Sequence, residues 1–152
     1  MTTSPRSATV MQGGRAKAFR PLPEADRRVA FAAGLDAYDR GDFFEAHELL
    51  EPAWMGTADP AERDLHQGLI KLAAAFVHDV RGNPVGVARN LAGARARLAA
   101  ARDAIHAGAR PAIGAEVDLA ALVDAVDARL SALESDPTAA VEPPRIGRMH
   151  LR

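Results

Sequence analysis

The chain has 152 residues, a length that suits a single domain able to bury about two thirds of the surface of its unfolded chain. Nineteen Lys and Arg against 20 Asp and Glu give a formal net charge of -1, so bulk charge predicts neither a nucleic-acid nor a membrane partner. The absence of cysteine excludes disulfides, thiol catalysis and thiolate metal sites, and it favours a cytoplasmic location.

The first 23 residues are basic, with four cationic side chains and no acid: Arg6, Arg15, Lys17 and Arg20. They lack the apolar run of a secretory signal, and no stretch of the chain reaches the roughly 20 apolar residues that cross a bilayer. Their Gly and Pro content favours disorder over an organellar transit peptide. We therefore predict a disordered basic arm over residues 1–23 of a soluble protein.

Beyond the arm, apolar residues recur at helical spacing and predict one helical domain over residues 24–135. The first helix ends at Gly41, which offers a stop. Asp42 stands three residues before Glu45, the spacing of a capping box, so the second helix begins there. Pro52 lies inside the second helix, where it removes a hydrogen bond and predicts a kink.

The remaining helices are also bounded by local signals. Asp59 and Pro60 can cap and open the third helix, and the Gly-Asn-Pro turn at residues 82–84 joins the third and fourth helices as a tight hairpin. The fourth and fifth helices each carry a narrow apolar seam. Residues 136–152 are predicted to be a Pro-rich extended or disordered tail. Because no stretch alternates with period two, we predict an all-α fold, a compact bundle of about five antiparallel helices without a sheet.

Polar residues stand among apolar ones on the second and third helices, in GDFFEAHELLEPAW (residues 41–54) and HQGLIKLAAAFVHDVRGNP (residues 66–84). Polar groups on apolar helices need a structural or chemical reason. The predicted polar cluster contains seven residues: His47, Glu48, Glu51, Trp54, Gln67, Lys71 and His78.

Helical angles divide this cluster into an inner and an outer part. At about 100° per residue, His47 and Glu51 are expected to face a neighbouring helix, whereas Glu48 lies nearer solvent. We predict that Gln67 and His78 meet the first pair across the interface between the second and third helices.

These stretches resemble the domain of unknown function 309 family over about residues 26–100. The matching positions are Phe44, Glu45, His47, Glu48, Glu51, Trp54, Gln67, Gly68, His78, Gly82, Asn83 and Pro84. The resemblance implies a compact all-helical fold and brings no established activity. The chain departs from the family pattern at Pro52, inside the second helix, and at Lys71, where the pattern has an uncharged Gln.

The interpretation that we favour is a non-catalytic binding or scaffolding module in which the polar cluster joins helices by hydrogen bonds. The alternative is a divalent-metal-binding protein or a metal-dependent enzyme. His47 and Glu51, four residues apart, present N and O donors on one helix face, and His78 would add a third ligand. Lys71 argues against a cation there, and apart from this metal we predict no cofactor.

Catalysis without a metal would use His47 as a general base, but no nucleophile completes it. Ser131 and Ser135 fall at the end of the fifth helix, away from the motif. We therefore leave the question of an enzyme open, with a preference for none. The predicted partner is a protein or a small molecule held between helices, with a second copy of the chain as an alternative.

Two further groups of residues carry no prediction of function. The basic residues of the fourth helix scatter around its axis, so we predict a solvated face and no nucleic acid: they are Arg89, Arg95, Arg97 and Arg102. Three histidines show no partner by their spacing, namely His66, His106 and His150.

Overall fold

A computed structural model describes residues 9–12 and 15–149, with side chains from residue 19 onward. Five helices follow one another: α1 (Glu24–Asp39), α2 (Phe43–Met55), α3 (Pro60–Val80), α4 (Pro84–His106) and α5 (Leu119–Ser135). Helix α3 packs against both α2 and α4, while α1 packs on α2 and α5 packs on α4. The predicted all-α class is confirmed. None of the described helices combines the length and apolarity that crossing a membrane requires.

Two short strands precede the helices and were not predicted. Strand β1 (Thr9–Gln12) pairs antiparallel with β2 (Arg15–Ala18). Four-residue strands place only two side chains on each face, too few to show the period-two alternation that reveals longer strands. The residues predicted as a helical domain, 24–135, contain no such strand. Residues 1–8 of the predicted disordered arm lie outside the described residues.

The last part of the predicted arm is hydrogen-bonded to the end of α2. The backbone N–H groups of Arg20 and Leu22 donate to the carbonyl oxygens of Met55 and Gly56, at 3.1 and 3.0 Å. A Cβ on Gly56 would lie 2.4 Å from Leu22 Cβ, so glycine is what allows this close approach. Residues 20–22 therefore lie against the end of α2.

The starts of α2, α3 and α4 are set by the predicted caps. Each capping side chain accepts the backbone N–H three residues later: Asp42 at 3.3 Å, Asp59 at 2.9 Å and Asn83 at 3.1 Å. Gly82 has φ +68°, a conformation that residues with a Cβ rarely adopt, and it ends α3. Helix α2 continues through Pro52 to Met55, so the proline does not end it.

The chain after α5 is extended and packed against the helices. Ile146 is buried, and Tyr38 donates its hydroxyl hydrogen to the carbonyl oxygen of Pro144 at 2.7 Å. Val117 and Arg148 form an isolated antiparallel bridge. Residue 149 is the last one described, so the end of the predicted tail and His150 lie outside the described residues. The packing was not predicted because it depends on single residues rather than on an apolar run.

Tyr38→Phe is expected to lower the free energy of unfolding by about 1 kcal/mol, because the carbonyl oxygen of Pro144 loses its buried donor. Chemical denaturation with urea measures this loss. The variant should also speed hydrogen exchange at the Asp118 N–H, which donates to Gly147 in the same C-terminal segment at 3.1 Å. Unchanged stability and exchange would show that the hydroxyl does not hold the segment.

Candidate functional site

Helix α2 places the polar residues of its motif at the surface. Its buried stripe consists of small and apolar residues, Ala46, Leu50, Ala53 and Trp54. His47 and Glu51 each follow a member of this stripe by one residue, a rotation of about 100° that puts them at its edge. The His47 side chain is 31% exposed and the Glu48 side chain 54%, so His47 is partly buried at the edge of the stripe and Glu48 lies nearer solvent.

The predicted pairing within the motif differs. His47 Nδ1 lies 3.3 Å from Glu48 Oε1, whereas no hydrogen bond joins His47 to Glu51 within residues 19–149. The Phe44 ring stacks on the His47 ring at 6.5 Å between centroids, with 19° between the planes. Phe44 is 57% exposed, an unusual position for a large aromatic side chain.

Helix α3 directs two of its predicted cluster residues elsewhere. Gln67 is buried, and its Nε2 has no hydrogen-bond partner in the described part of the chain. Lys71 lies over α4, where a Cβ on Gly93 would meet Lys71 Cδ at 2.8 Å. The Lys71 side chain thus packs against α4 rather than against the α2 motif.

His78 belongs to the turn between α3 and α4. Its Nδ1 lies 3.1 Å from Asn83 Nδ2, and a Cβ on Gly86 would come within 2.5 Å of the ring. In the described chain, no hydrogen bond links His78 or Gln67 to His47 or Glu51, so the predicted cluster across α2 and α3 does not form.

The predicted metal ligands are not brought together. Among residues 9–12 and 15–149, no group of three or more His, Asp or Glu side chains has an arrangement that could hold a metal ion. His47, Glu51 and His78 therefore do not come together as the metal site that was considered because His and Glu side chains can bind metals.

Trp54 contacts α3 through an arginine. The indole is 1% exposed, and the Arg63 guanidinium lies over its ring at 4.7 Å from the centroid. Arg63 Nη1 also donates to the Trp54 carbonyl oxygen at 2.9 Å. This arginine covers both the ring and the end of α2, so Trp54 has a structural role in joining α2 to α3.

The structure contains a buried ionic network that the sequence reasoning missed. Glu62 accepts hydrogen bonds from Arg27 Nε at 2.8 Å and Arg27 Nη2 at 3.1 Å, and Glu62 Oε2 lies 2.9 Å from His66 Nε2. Glu62 is 1% exposed and His66 is fully buried. The spacing of Glu62 and His66, four residues apart on α3, was a usable signal, but Arg27 comes from α1 and no local pattern connects it.

The network keeps Glu62 ionised despite its burial. Burial alone would raise the pKa of this carboxyl, but hydrogen bonds from His66 and Arg27 outweigh it and hold the pKa below its ordinary value. The hydrogen bond to Glu62 likewise raises the pKa of Arg27. Because an ionised carboxylate only accepts, His66 Nε2 is the donor. Phe31 packs on the His66 ring at 5.6 Å between centroids, and the network, in which only Arg27 is partly exposed, joins α1 to α3.

The motif residues Glu48 and Glu51 line an open cavity of about 380 Å³ beside α2. Its other lining residues come from the end of the arm and from α2: Arg20, Pro21, Leu22, Pro52 and Met55. Within residues 19–149, neither carboxylate forms an ion pair with an Arg or Lys. We call Phe44, His47, Glu48, Glu51 and this cavity the outer face of α2.

Comparison with protein families supports the resemblance seen in the motif. A family model described as Domain of unknown function (DUF309) matches residues 31–90, which include the α2 and α3 patterns that carry the resemblance. The matched residues include the outer face of α2 except its lining residues 20–22. They end at residue 90, in the first part of α4. No curated protein and no solved structure matched the chain.

Proposed function

We propose that this chain is a non-catalytic binding module. The premise is that residues 31–90 match the model of the Domain of unknown function (DUF309) family. The ligand of this module is a cationic side chain of a partner protein, held on the outer face of α2. The observation that carries this proposal is the position of Glu48 and Glu51, whose carboxylates line an open cavity without an Arg or Lys ion-pair partner in the described residues.

The charge of the cavity favours a cation. Two carboxylates and the guanidinium of Arg20 leave the lining with a net charge of -1. A guanidinium or ammonium group from a partner would pair with the carboxylates, and a guanidinium can bind a carboxylate through two parallel hydrogen bonds. Because Glu48 is half exposed, such a pair would give specificity and a moderate gain in affinity.

The shape and polarity of the cavity fit the rest of such a side chain. Leu22, Pro52 and Met55 provide apolar walls next to the carboxylates. The methylene stem of Arg or Lys packs on apolar surface while its charged end reaches polar groups. A cavity with one charged side and one apolar side therefore suits a long cationic side chain better than a compact cation.

Phe44 adds an apolar anchor beside the cavity. It lies one helical turn before Glu48 on the same face of α2, and its ring is mostly exposed. Exposed aromatic side chains that cluster with charged groups are typical of protein-binding surfaces, where they contribute a large part of the binding energy. The partner surface is thus expected to carry an apolar contact next to its cationic residue.

The same geometry supports a binding role over a catalytic one. In the Arg27–Glu62–His66 network, Glu62 and His66 are buried and only the Arg27 side chain reaches solvent, at 14% exposure, so the carboxylate and imidazole are not open to a substrate. Among the described residues, no Ser, Thr, Cys or Lys lines the outer cavity, so these residues offer it no hydroxyl, thiol or amine nucleophile. We place this binding module in the cytoplasm, which its lack of cysteine fits.

The binding proposal predicts a preference for cationic peptides. A set of synthetic peptides would share one apolar host sequence and differ at a central position, which is Arg, Lys, Gln or Glu. Isothermal titration is expected to show tighter binding of the Arg and Lys peptides. The double variant Glu48→Gln/Glu51→Gln should weaken that binding about tenfold, because both carboxylates of the cavity lose their charge.

A matched control changes the same number of charges away from the cavity. The variant Asp124→Asn/Glu134→Gln alters two exposed acids of α5 and should leave the affinity for the Arg peptide unchanged. Amide shifts on titration should cluster on α2. Equal binding of the Arg and Glu peptides, or equal losses in the two double variants, would overturn the proposal.

A further inference from the structure

We propose that a second cavity, between the end of α4, the start of α5 and the C-terminal segment, binds a small amphiphilic monoanion with an aliphatic body and a carboxylate head. The cavity has a volume of about 380 Å³, within the range of pockets that hold small molecules. It lies outside residues 31–90, so it is separate from the outer face of α2.

The walls of this cavity are mainly apolar. Val117 and Leu119 line it as buried residues, Ile105 is half buried at the end of α4, and Met149 contributes from the C-terminal segment. Met149 is 47% exposed, so its side chain is accessible to a ligand in the cavity. Its flexible, polarisable side chain can adapt to the body of a ligand, so the cavity fits an aliphatic chain.

The rim of the cavity is basic. Arg102, His106 and Arg110 line it from the end of α4 and the following loop. Arg110 Nη1 donates only to main-chain carbonyls, those of Ala109 at 2.8 Å and Ile105 at 3.2 Å, and no carboxylate pairs with it in the described residues. An Arg with spare donors beside an apolar cavity is suited to an anionic head group.

Arg102 and Arg110 against Asp118 leave the lining with a formal net charge of +1, with His106 taken as neutral. Asp118 lines the cavity, but its Oδ1 accepts the Ala121 N–H at 3.1 Å and caps α5. Asp103 pairs with Arg102 Nε at 3.1 Å and points toward solvent, with 68% of its side chain exposed. Arg110 is therefore the cation that is best placed to meet a single negative charge.

The C-terminal segment builds one wall of the cavity. The Met149 N–H donates to the Glu116 carbonyl oxygen at 2.6 Å, and Arg148 forms a bridge with Val117. These contacts hold Met149 in the lining of the cavity. A ligand that contacts both Met149 and Leu119 would stabilise the docked segment, because it binds only when the wall is in place.

Octanoate is the probe for this proposal, with octanol and octylamine as matched ligands that have the same chain length and a neutral or cationic head. With the full chain, we expect octanoate to shift the methyl signals of Met149 and Ile105 in nuclear magnetic resonance spectra. Its dissociation constant should be about tenfold lower than those of octanol and octylamine, because only the carboxylate pairs with Arg110.

Three variants separate a built site from nonspecific binding. Arg110→Gln should weaken octanoate about tenfold and leave octanol unchanged. Arg95→Gln, which removes an exposed α4 arginine paired with Asp127 away from the cavity, should change neither affinity. Ala120→Trp, at an exposed position in the lining, should fill the cavity and abolish binding without lowering the melting temperature.

Each result decides the proposal. Loss of octanoate binding in Arg110→Gln and Ala120→Trp, with binding retained in Arg95→Gln, would support it. Equal affinity for octanoate and octanol, equal losses in the two arginine variants, or an absence of shifts at Met149 and Ile105 would overturn it.

Discussion

Glu62→Ala is expected to lower the free energy of unfolding by about 3–5 kcal/mol, the usual cost of removing one partner from a buried charge pair. Glu62 is 1% exposed and accepts hydrogen bonds from Arg27 and His66. Its removal leaves a largely buried guanidinium and a buried imidazole N–H without their acceptor. Chemical denaturation with urea, monitored by circular dichroism, measures the loss.

The control is the exposed ion pair on α1. Glu24 and Arg28 are each 53% exposed and pair at 2.9 Å, so Glu24→Ala should cost less than about 1 kcal/mol. The contrast tests burial itself, because both variants remove a glutamate that pairs with an arginine. Losses of similar size in the two variants would contradict the assignment of Glu62 to a buried network.

The Glu62 contribution has a defined pH dependence. The folded-state pKa of Glu62 lies below its ordinary value, so its ionised form is favoured by folding. The resulting stability is fully present above the ordinary pKa and is lost as the pH falls through the folded-state pKa. The stability gap between the native chain and Glu62→Ala should therefore narrow in acid, and denaturation at a series of acidic pH values measures this. A gap that widens there would contradict the direction of the shift.

Gly68→Ala is expected to destabilise the protein by about 1–3 kcal/mol, although alanine has a higher helix propensity than glycine. A Cβ at Gly68 would lie 2.6 Å from Leu98 Cγ and 3.1 Å from the Leu98 backbone N. Leu98 is fully buried, so it has no free space to move into. The backbones of α3 and α4 would have to separate, which loosens the largest helix interface of the bundle.

Gly93→Ala provides the matched control on the same interface. Its Cβ would meet only the side chain of Lys71, at 2.8 Å from Cδ, and this flexible chain can move aside. The substitution should raise the free energy of unfolding by up to about 1 kcal/mol through helix propensity. Urea denaturation of the two variants should thus give opposite signs. Stabilisation by both alanines would show that α3 and α4 do not require glycine at their contact.

The helix boundaries could be predicted from the sequence because the signals that set them act over three or four residues. Asp42, Asp59 and Asn83 each cap the helix that begins directly after them. Gly82 ends α3 through its own backbone conformation. The family motif was recognisable for the same reason, since its positions lie on two helices that are close in the sequence.

The orientation of the motif could not be predicted in the same way. Helical angles place His47 next to Ala46 and Glu51 next to Leu50. The pair His47 and Glu51 and the pair Ala46 and Leu50 both have the four-residue spacing of a buried helix face. Packing against α1 and α3 buries the Ala46 and Leu50 stripe, because it is apolar and includes Trp54. The polar residues are consequently turned to the surface, where they line a cavity.

Contacts between residues that are far apart in the sequence could not be predicted from local patterns. Arg27 and Glu62 are 35 positions apart, and Tyr38 and Pro144 are 106 apart, so no local pattern could pair them. Local spacing determined the five helices and the caps of α2, α3 and α4, since neighbouring residues alone supply those hydrogen bonds. The buried charge network, the docked C-terminal segment and the exposure of His47 and Glu48 follow from tertiary packing, which alone sets which faces lose contact with water.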